Sequence, residues 1–165
     1  MMTELDLKTK TKNVALKTPT GFMAFGFGSG LAPFAPGTFG TLAAIPPYLL
    51  MAQLNWIGYI ALVLFTFIWG VYLCEQASKN LGVHDHGGIV WDEFVGMWLT
   101  MFLIPLQWQW LLLGFVLFRV FDIIKPFPIK WLDQHVKGGF GIMVDDVIAG
   151  IYAWIVLYTL VNVQW

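Results

Sequence analysis

The stretch WIGYIALVLFTFIWGVYLCEQASK, residues 56–79, decides the fold class, because its first 19 residues carry no charged side chain. About 20 apolar residues are enough for a helix that crosses a bilayer. The stretch continues a charge-free segment that begins at residue 18, and two more follow at 94–118 and 147–165. A water-soluble domain needs charge on its exposed faces, whereas a bilayer excludes charge from its hydrocarbon core. The chain is therefore predicted to be all-α, a polytopic helical bundle embedded in a membrane.

Composition supports the same class and excludes others. Of the 165 residues, 58% are hydrophobic and 12% are charged, which lies outside the usual range of soluble domains. The nine basic and ten acidic residues all lie in three stretches, 4–17, 75–93 and 119–146. A net charge of −1 argues against nucleic acid as a partner. The single cysteine, Cys74, excludes an internal disulfide, and the polar start of the chain predicts no removable signal peptide.

The chain divides into a tail and one domain. We expect residues 1–20 to be a mobile cytoplasmic tail and residues 21–165 to be a single membrane-embedded domain. Residues 21–41 are rich in Gly and Pro and cannot form one regular helix, so we expect a re-entrant or interfacial segment there. About five helices are predicted, over about 38–54 with a kink at Pro46-Pro47, 56–79, 88–105, 108–124 and 144–163.

The positions of Lys and Arg predict a topology. The connections at 53–56 and 105–109 and the end of the chain at 162–165 carry neither residue. The tail has four lysines, the loop between the second and third helices has Lys79, and the loop between the fourth and fifth has Lys125, Lys130 and Lys137. By the positive-inside rule, the tail and the two long loops are cytoplasmic. Five crossings then place the N-terminus inside and the C-terminus outside.

Two acidic pairs, Asp92-Glu93 and Asp145-Asp146, lie where predicted helices enter the membrane. Acids in a first helical turn complement the helix dipole, which explains one acid per helix better than two. Neighbours on a helix point about 100° apart, so we expect one member of each pair to face inward. Four crowded carboxylates would repel one another without a cation, and Mg²⁺ is a hard ion that carboxylates hold. All four are candidate metal ligands and catalytic residues.

The flanks of the two pairs are weakly alike. Residues 88–93 read GIVWDE, residues 141–146 read GIMVDD, and a glycine follows each pair, at Gly96 and Gly150. An ancient repeat and coincidence both remain open.

Arg119, Asp122 and Lys125 are spaced to share one edge of the fourth predicted helix. One interpretation is an ion pair within the helix, which contributes little at an exposed site. The other gives Arg119 a bidentate hold on a phosphate, with Lys125 as a second positive charge. We favour the phosphate site and count Asp122 among its candidate catalytic residues.

Two loops supply further candidates for substrate binding. In the sequence His84-Asp85-His86, the histidines could bind a metal or move protons, or the segment could be a polar turn in which Asp85 caps the next helix. In the glycine-rich segment 26–38, backbone amides could hold an anion, or the glycines could serve close packing alone. The lysine of a nucleotide-binding P-loop is missing. The candidates that these loops supply are Ser29, Gly37, Thr38, His84 and His86.

Four blocks resemble one known family. They are GFGSGLAPFAPGTFGT (26–41), GVHDHGGIVWDEFVGMW (82–98), FRVFDIIKPFPI (118–129) and GGFGIMVDDVIAG (138–150), and they look like phosphatidylglycerophosphatase A, a bacterial membrane phosphatase of phosphatidylglycerol synthesis. The resemblance implies Mg²⁺-dependent removal of the terminal phosphate from phosphatidylglycerophosphate. It also implies an active site on the inner face of the bacterial cytoplasmic membrane.

Other phosphatase chemistries lack their residues. In the pattern CxxxxxR, Cys74 has Asn80 where the arginine would be, and a DxDx[TV] motif is absent, as is the arginine–histidine signature of lipid phosphatases with a histidine nucleophile. Water activated by a metal is then the simplest attacker, and an aspartyl-phosphate intermediate remains open. The alternatives are a membrane transferase of a phosphate-linked head group, which lacks its DxxDGxxAR array, and a non-enzymatic small transporter or scaffold. Homo-oligomerisation and other lipid phosphate substrates are left open by the sequence.

Overall fold

The computed structural model describes residues 4–163, and within them the chain forms nine α-helices, one 3-10 helix and no β-strand. The predicted all-α class is confirmed. More helices are found than the predicted five or so, because short helices precede and connect the long ones. Their bounds are α1 Glu4–Lys17, α2 Pro19–Ala24, the 3-10 helix Gly26–Leu31, α3 Pro36–Ala43, α4 Ile45–Met51, α5 Trp56–Leu81, α6 Trp91–Thr100, α7 Trp108–Ile124, α8 Ile129–His135 and α9 Gly138–Val163.

Helix α9 is the centre of the bundle and packs against α5, α6, α7 and α8. Its buried side chains recur every four residues, at Ala149, Ala153, Leu157 and Val161, so one face is enclosed by the other helices. The small alanines on this face let neighbouring backbones approach closely. The acidic pair of α9 is thereby held next to α6 and α7.

Helices α5 and α9 are, within residues 4–163, the two that are long and apolar enough to cross a membrane. Each has 26 residues, or about 39 Å at about 1.5 Å per residue, against about 30 Å of hydrocarbon. The outer face of α5 is apolar, since Leu64, Phe65 and Ile68 are each more than half exposed. By contrast, α6 has 10 residues and α7 has 17.

Several predicted boundaries need correction. The predicted helices at 56–79 and 108–124 correspond closely to α5 and α7. The helix expected at 38–54 is divided into α3 and α4, because Pro46 lacks an amide hydrogen and so begins a new helix more readily than it continues one. The helix expected at 88–105 is α6, which is shorter at both ends.

Helix α9 begins at Gly138, earlier than the predicted 144. Glu75 of α5 stabilises this start, since its Oε2 accepts a hydrogen bond of 2.7 Å from the Gly139 amide. The acidic pair at 145–146 therefore lies about two turns inside α9 and not in its first turn. A helix dipole acts mainly within the first turn, so it does not account for these two acids.

The N-terminal segment is folded onto the bundle. The described part of the predicted tail is α1, in which Val14 and Ala15 are buried and Lys10 Nζ donates to the Leu81 carbonyl at 2.9 Å. The Gly/Pro-rich segment 21–41 forms short helices and turns in place of one regular helix, as predicted. The mobility and cytoplasmic side of the tail stay predictions, as do the division into tail and domain and the re-entrant placement; residues 1–3 lie outside the described part.

Candidate active site

Three carboxylates meet between α6 and α9. Ligand oxygens of Asp92, Glu93 and Asp146 lie within 4.8 Å of one another, and we call these three residues the acidic cluster. Glu93 and Asp146 are buried, at 9% and 3% exposure. Each member has one buried oxygen that finds no hydrogen-bond partner among the described residues: Asp92 Oδ1, Glu93 Oε2 and Asp146 Oδ2. Buried carboxylate oxygens that accept no hydrogen bond are energetically costly. This set of oxygen ligands therefore fits a hard cation such as Mg²⁺.

The acidic cluster differs in one respect from the expected arrangement. One member of the Asp92-Glu93 pair is expected to face inward, yet both join the cluster. The reason is that the N-terminal segment covers the start of α6, where the Val90 amide donates to the Ala24 carbonyl at 2.9 Å. Glu93 is therefore buried, and Asp92 is half-buried.

Asp145 lies outside the acidic cluster and contacts Lys125, although its Oδ1, like one oxygen of each cluster member, is buried without a hydrogen-bond partner among the described residues. Lys125 Nζ lies 2.6 Å from Asp145 Oδ2 and 2.8 Å from Asp133 Oδ1 of α8. Although burial lowers the pKa of Lys125, the two carboxylates outweigh that effect and raise the pKa above its usual range. Lys125 thus stays charged at neutral pH, at the C-terminal end of α7. Of the four predicted metal ligands, the structure groups three and pairs the fourth with a cation.

Arg119 connects the acidic cluster to α3. Its Nη1 lies 2.8 Å from Asp122 Oδ2 and 3.8 Å from Glu93 Oε1. The same nitrogen donates a long hydrogen bond of 3.4 Å to Thr41 Oγ1. Its Nε is buried and lacks an acceptor in the part of the chain that the structure describes. The predicted pair of Arg119 and Asp122 is present, and the guanidinium retains a donor for a further anion.

The first turn of α3 lies directly over this site. A Cβ on Gly37 would be 2.3 Å from Glu93 Oε1 and 3.1 Å from both terminal nitrogens of Arg119, so the site has no room for a side chain there. Thr38 borders a groove beside Arg119. Ser29, in contrast, donates to the Gly26 carbonyl at 2.8 Å within its own turn. Two of the three candidates from this loop are brought to the site.

The two histidines hold loops together. His84 Nε2 accepts from the Gly138 amide at 2.8 Å, and His86 Nδ1 accepts from the Gly88 amide at 3.0 Å. Partial burial lowers the pKa of His86. Helix α6 follows without a side-chain cap from any described residue, so Asp85 does not cap it. These contacts favour the polar-turn interpretation, and a substrate-binding role for either histidine stays a prediction.

Two residues of the site were not predicted, Thr41 and Asp133. Thr41 follows Gly37 by four residues on α3, a spacing that places both on one face and could have identified it. Asp133 gives no such signal, because α8 is a separate short helix whose position depends on tertiary packing.

Comparison with known proteins identifies the relatives. The family model described as Phosphatidylglycerophosphatase A matches residues 22–161. The chain is 52% identical over 144 residues to Phosphatidylglycerophosphatase A of Escherichia coli (strain K12). The aligned residues make up 87% of this chain and 84% of the relative. The chain is 49% identical over 153 residues to Phosphatidylglycerophosphatase A of Haemophilus influenzae, covering 90% and 93%.

A third relative carries a different name. The chain is 40% identical over 141 residues to a Bacteroides thetaiotaomicron protein that is named, provisionally, a phosphatidylinositol-3-phosphatase, covering 80% of this chain and 87% of the relative. No solved structure matches the chain.

Proposed function

Because the chain belongs to the phosphatidylglycerophosphatase A family and is therefore a phosphatase, we propose that it hydrolyses phosphatidylglycerophosphate. Water and the terminal phosphate monoester react, and the products are phosphatidylglycerol and inorganic phosphate. One observation carries the proposal: buried carboxylate oxygens without donors lie beside a buried Arg119 nitrogen without an acceptor, within the described chain. A site of this kind suits a cation and a phosphate bound next to each other.

The acidic cluster is our proposed Mg²⁺ site, held by Asp92, Glu93 and Asp146. The fit rests on their unpartnered buried oxygens and on the preference of Mg²⁺ for a few carboxylates together with water and phosphate oxygens. When bound, the ion would supply positive charge at the phosphate and lower the pKa of a coordinated water. Asp145 is proposed to act outside the metal site, as the partner of Lys125.

The cations are proposed to bind the substrate's phosphate. Arg119 would hold two of its oxygens through a planar fork whose orientation is set by Asp122 and Thr41. Lys125 would add a second positive charge, held in place by Asp133 and Asp145. Such groups, fixed before the reaction, stabilise the charge that develops as the phosphate is transferred to water.

Membrane embedding is part of the proposal. We place the chain in the bacterial cytoplasmic (inner) membrane as a multi-pass protein, with the N-terminus and the site inside and the C-terminus outside. The lengths of α5 and α9 and the apolar outer face of α5 support it. The short α6 reaches only about 15 Å, so we expect the residues between α6 and α7 to complete the crossing that α6 begins.

A second substrate is favoured by the relative from Bacteroides thetaiotaomicron. Phosphatidylinositol 3-phosphate, like phosphatidylglycerophosphate, carries a phosphate monoester on a lipid head group, and Arg119 with the acidic cluster would contact only that shared monoester. A lipid panel therefore belongs in the test of function.

The test uses the full chain purified in detergent. Phosphate release from phosphatidylglycerophosphate is measured with Mg²⁺, with a chelator, and after Mg²⁺ is restored, with phosphatidylinositol 3-phosphate in parallel. We expect one inorganic phosphate for each phosphatidylglycerol formed, loss of activity with the chelator and recovery afterwards. Transfer of the phosphate or head group to another lipid would instead support the transferase, and inactivity on every lipid phosphate would refute the proposed function.

A further inference from the structure

A groove of about 290 Å³ lies between α3 and α7, and Arg119 of the candidate active site lies partway along it, between Phe115 and Ile124. Phe115, Val116 and Val120 of α7 form its apolar wall, and Thr38 of α3 lies on the opposite side. Arg119 also borders it, so the groove is continuous with the proposed phosphate site. Its surface is otherwise almost entirely apolar, which is not suited to a water-soluble substrate.

The outer wall of the groove is a stripe along one face of α7. Val116, Val120 and Ile123 follow one another at helical spacing and are 46%, 41% and 69% exposed. In a bilayer, such a stripe contacts acyl chains, so its apolar side chains are not exposed to water. Val116 and Phe115 lie about one turn farther from the charged end of the bundle than Arg119 does, since α7 runs toward that end.

The groove therefore combines one charged group with apolar walls. Apolar side chains line it on both sides of Arg119, with Phe115 and Val116 about one turn before it and Ile123 and Ile124 about one turn after it, and the guanidinium lies 3.8 Å from the Glu93 carboxylate. A molecule that matches both parts has a hydrocarbon chain at one end and an anionic phosphate at the other. Its charge complements Arg119, and its chain complements the stripe.

We propose that this groove binds one acyl chain of the phospholipid substrate while the substrate's phosphate monoester reaches Arg119. The proposal rests on the proposed function and adds the route by which a lipid enters: sideways from the bilayer, between α3 and α7. It makes Val116 and Val120 specificity-determining residues that select lipids over deacylated phosphate esters. Arg119 retains the phosphate contact.

The experiment fills the groove and compares two substrates. Val116→Trp is assayed on dioleoyl phosphatidylglycerophosphate in mixed micelles and on its deacylated, water-soluble head group. We expect kcat/KM for the lipid to fall about tenfold, chiefly through KM, because the bulky ring would occupy the space of the bound acyl chain and overpack the groove. The rate on the deacylated ester should be unchanged. Leu64→Trp is the matched control, since Leu64 is also exposed, at 56%, but lies on α5 outside the groove.

The outcomes distinguish failure of this inference from failure of the proposed function on which it rests. Wild-type protein that is inactive on every lipid phosphate refutes the proposed function. If the wild-type protein is active but Val116→Trp affects both substrates equally, the inferred binding of an acyl chain in the groove is wrong, while the proposed function stands. The same holds if the effects of Val116→Trp are no larger than those of Leu64→Trp. Should Val116→Trp separate a dimer into monomers in light scattering, the groove is an interface between copies and the inference also fails. Val120→Trp repeats the test if Val116→Trp does not fold.

Discussion

Replacing Gly37 by alanine should separate catalysis from folding. Gly37 lies in the first turn of α3, and an alanine there is intrinsically favourable, by up to about 1 kcal/mol relative to glycine in a helix. The added methyl group, however, would lie 2.3 Å from Glu93 Oε1. The thermal stability of Gly37→Ala and its rate of phosphate release should therefore change in opposite directions, or by different amounts.

The geometry sets the size of the effect. Ordinary contact for a Cβ begins at 3.4 Å, so the Glu93 carboxylate or the start of α3 must move by about 1 Å. The guanidinium of Arg119, 3.1 Å from the same methyl group, must give way as well. A misplacement of about 1 Å at reacting groups costs on the order of 100-fold in rate, or about 2.7 kcal/mol. We expect that loss in kcat/KM for phosphatidylglycerophosphate.

The assay is phosphate release from purified Gly37→Ala protein across a series of Mg²⁺ concentrations, together with its thermal unfolding in detergent. Gly58→Ala is the matched control, because Gly58 also lies in the first turn of a helix and its added Cβ would meet nothing nearer than Asn55 Oδ1, at an ordinary 3.4 Å. The control should hydrolyse lipid normally. A Gly37→Ala protein with wild-type kinetics would show that α3 does not position Glu93 and Arg119, and the site described above would be wrong.

Three further predictions use the same purified protein or its reporter fusions. Arg119→Lys should lose roughly 30- to 1,000-fold in rate in the phosphate-release assay, because it retains charge but not the planar fork, while the Mg²⁺ dependence changes little; a wild-type rate would reduce Arg119 to a partner of Asp122. Asp146→Asn should raise the Mg²⁺ concentration for half-maximal activity strongly, whereas Asp145→Asn should not, because Asp145 contacts Lys125; equal shifts in such titrations would contradict this division. A reporter enzyme that is active only outside the cytoplasm should be active when fused to the C-terminus. Activity of a C-terminal reporter that works only in the cytoplasm would overturn the topology.

Long apolar runs made α5 and α7 predictable, because the composition of each run alone favours a helix of that length. The short helices were not predictable in the same way. Helix α1 is polar and depends on contacts such as Lys10 with Leu81, and α8 is too short for a periodic pattern. Tertiary packing decides such segments.

The candidate site was predictable in its members but not in their pairing. Two adjacent acids on each of two helices predict a gathering of carboxylates, and residues 92, 93 and 146 do gather. Which acid of a pair faces which neighbour depends on the rotation of the helix about its axis, and that rotation is set by packing. Asp145 therefore pairs with Lys125, and the second partner of Lys125, Asp133 on α8, could not be foreseen.

Asp92 and Asp146 each precede a glycine at the contact of α6 with α9, although the likeness of residues 88–93 to 141–146 aligns Asp92 with Asp145. Asp92 precedes Gly96 by four residues, and Asp146 precedes Gly150 by four, so each helix presents an acid and a glycine on the same face. A Cβ on Gly150 would lie 2.6 Å from the Gly96 carbonyl oxygen, and one on Gly96 would lie 2.9 Å from that of Asp146. The two backbones thus touch one turn from the acids.

That contact fixes the distance between the carboxylates. Helices that meet without side chains at the crossing approach more closely than bulky residues allow, and a close crossing one turn away holds the acids of both helices within reach of one ion. The same pattern of an acid followed by a glycine is needed on both helices, since each supplies half of the contact. A shared requirement therefore accounts for an acid four residues before a glycine on each helix, independently of any repeat.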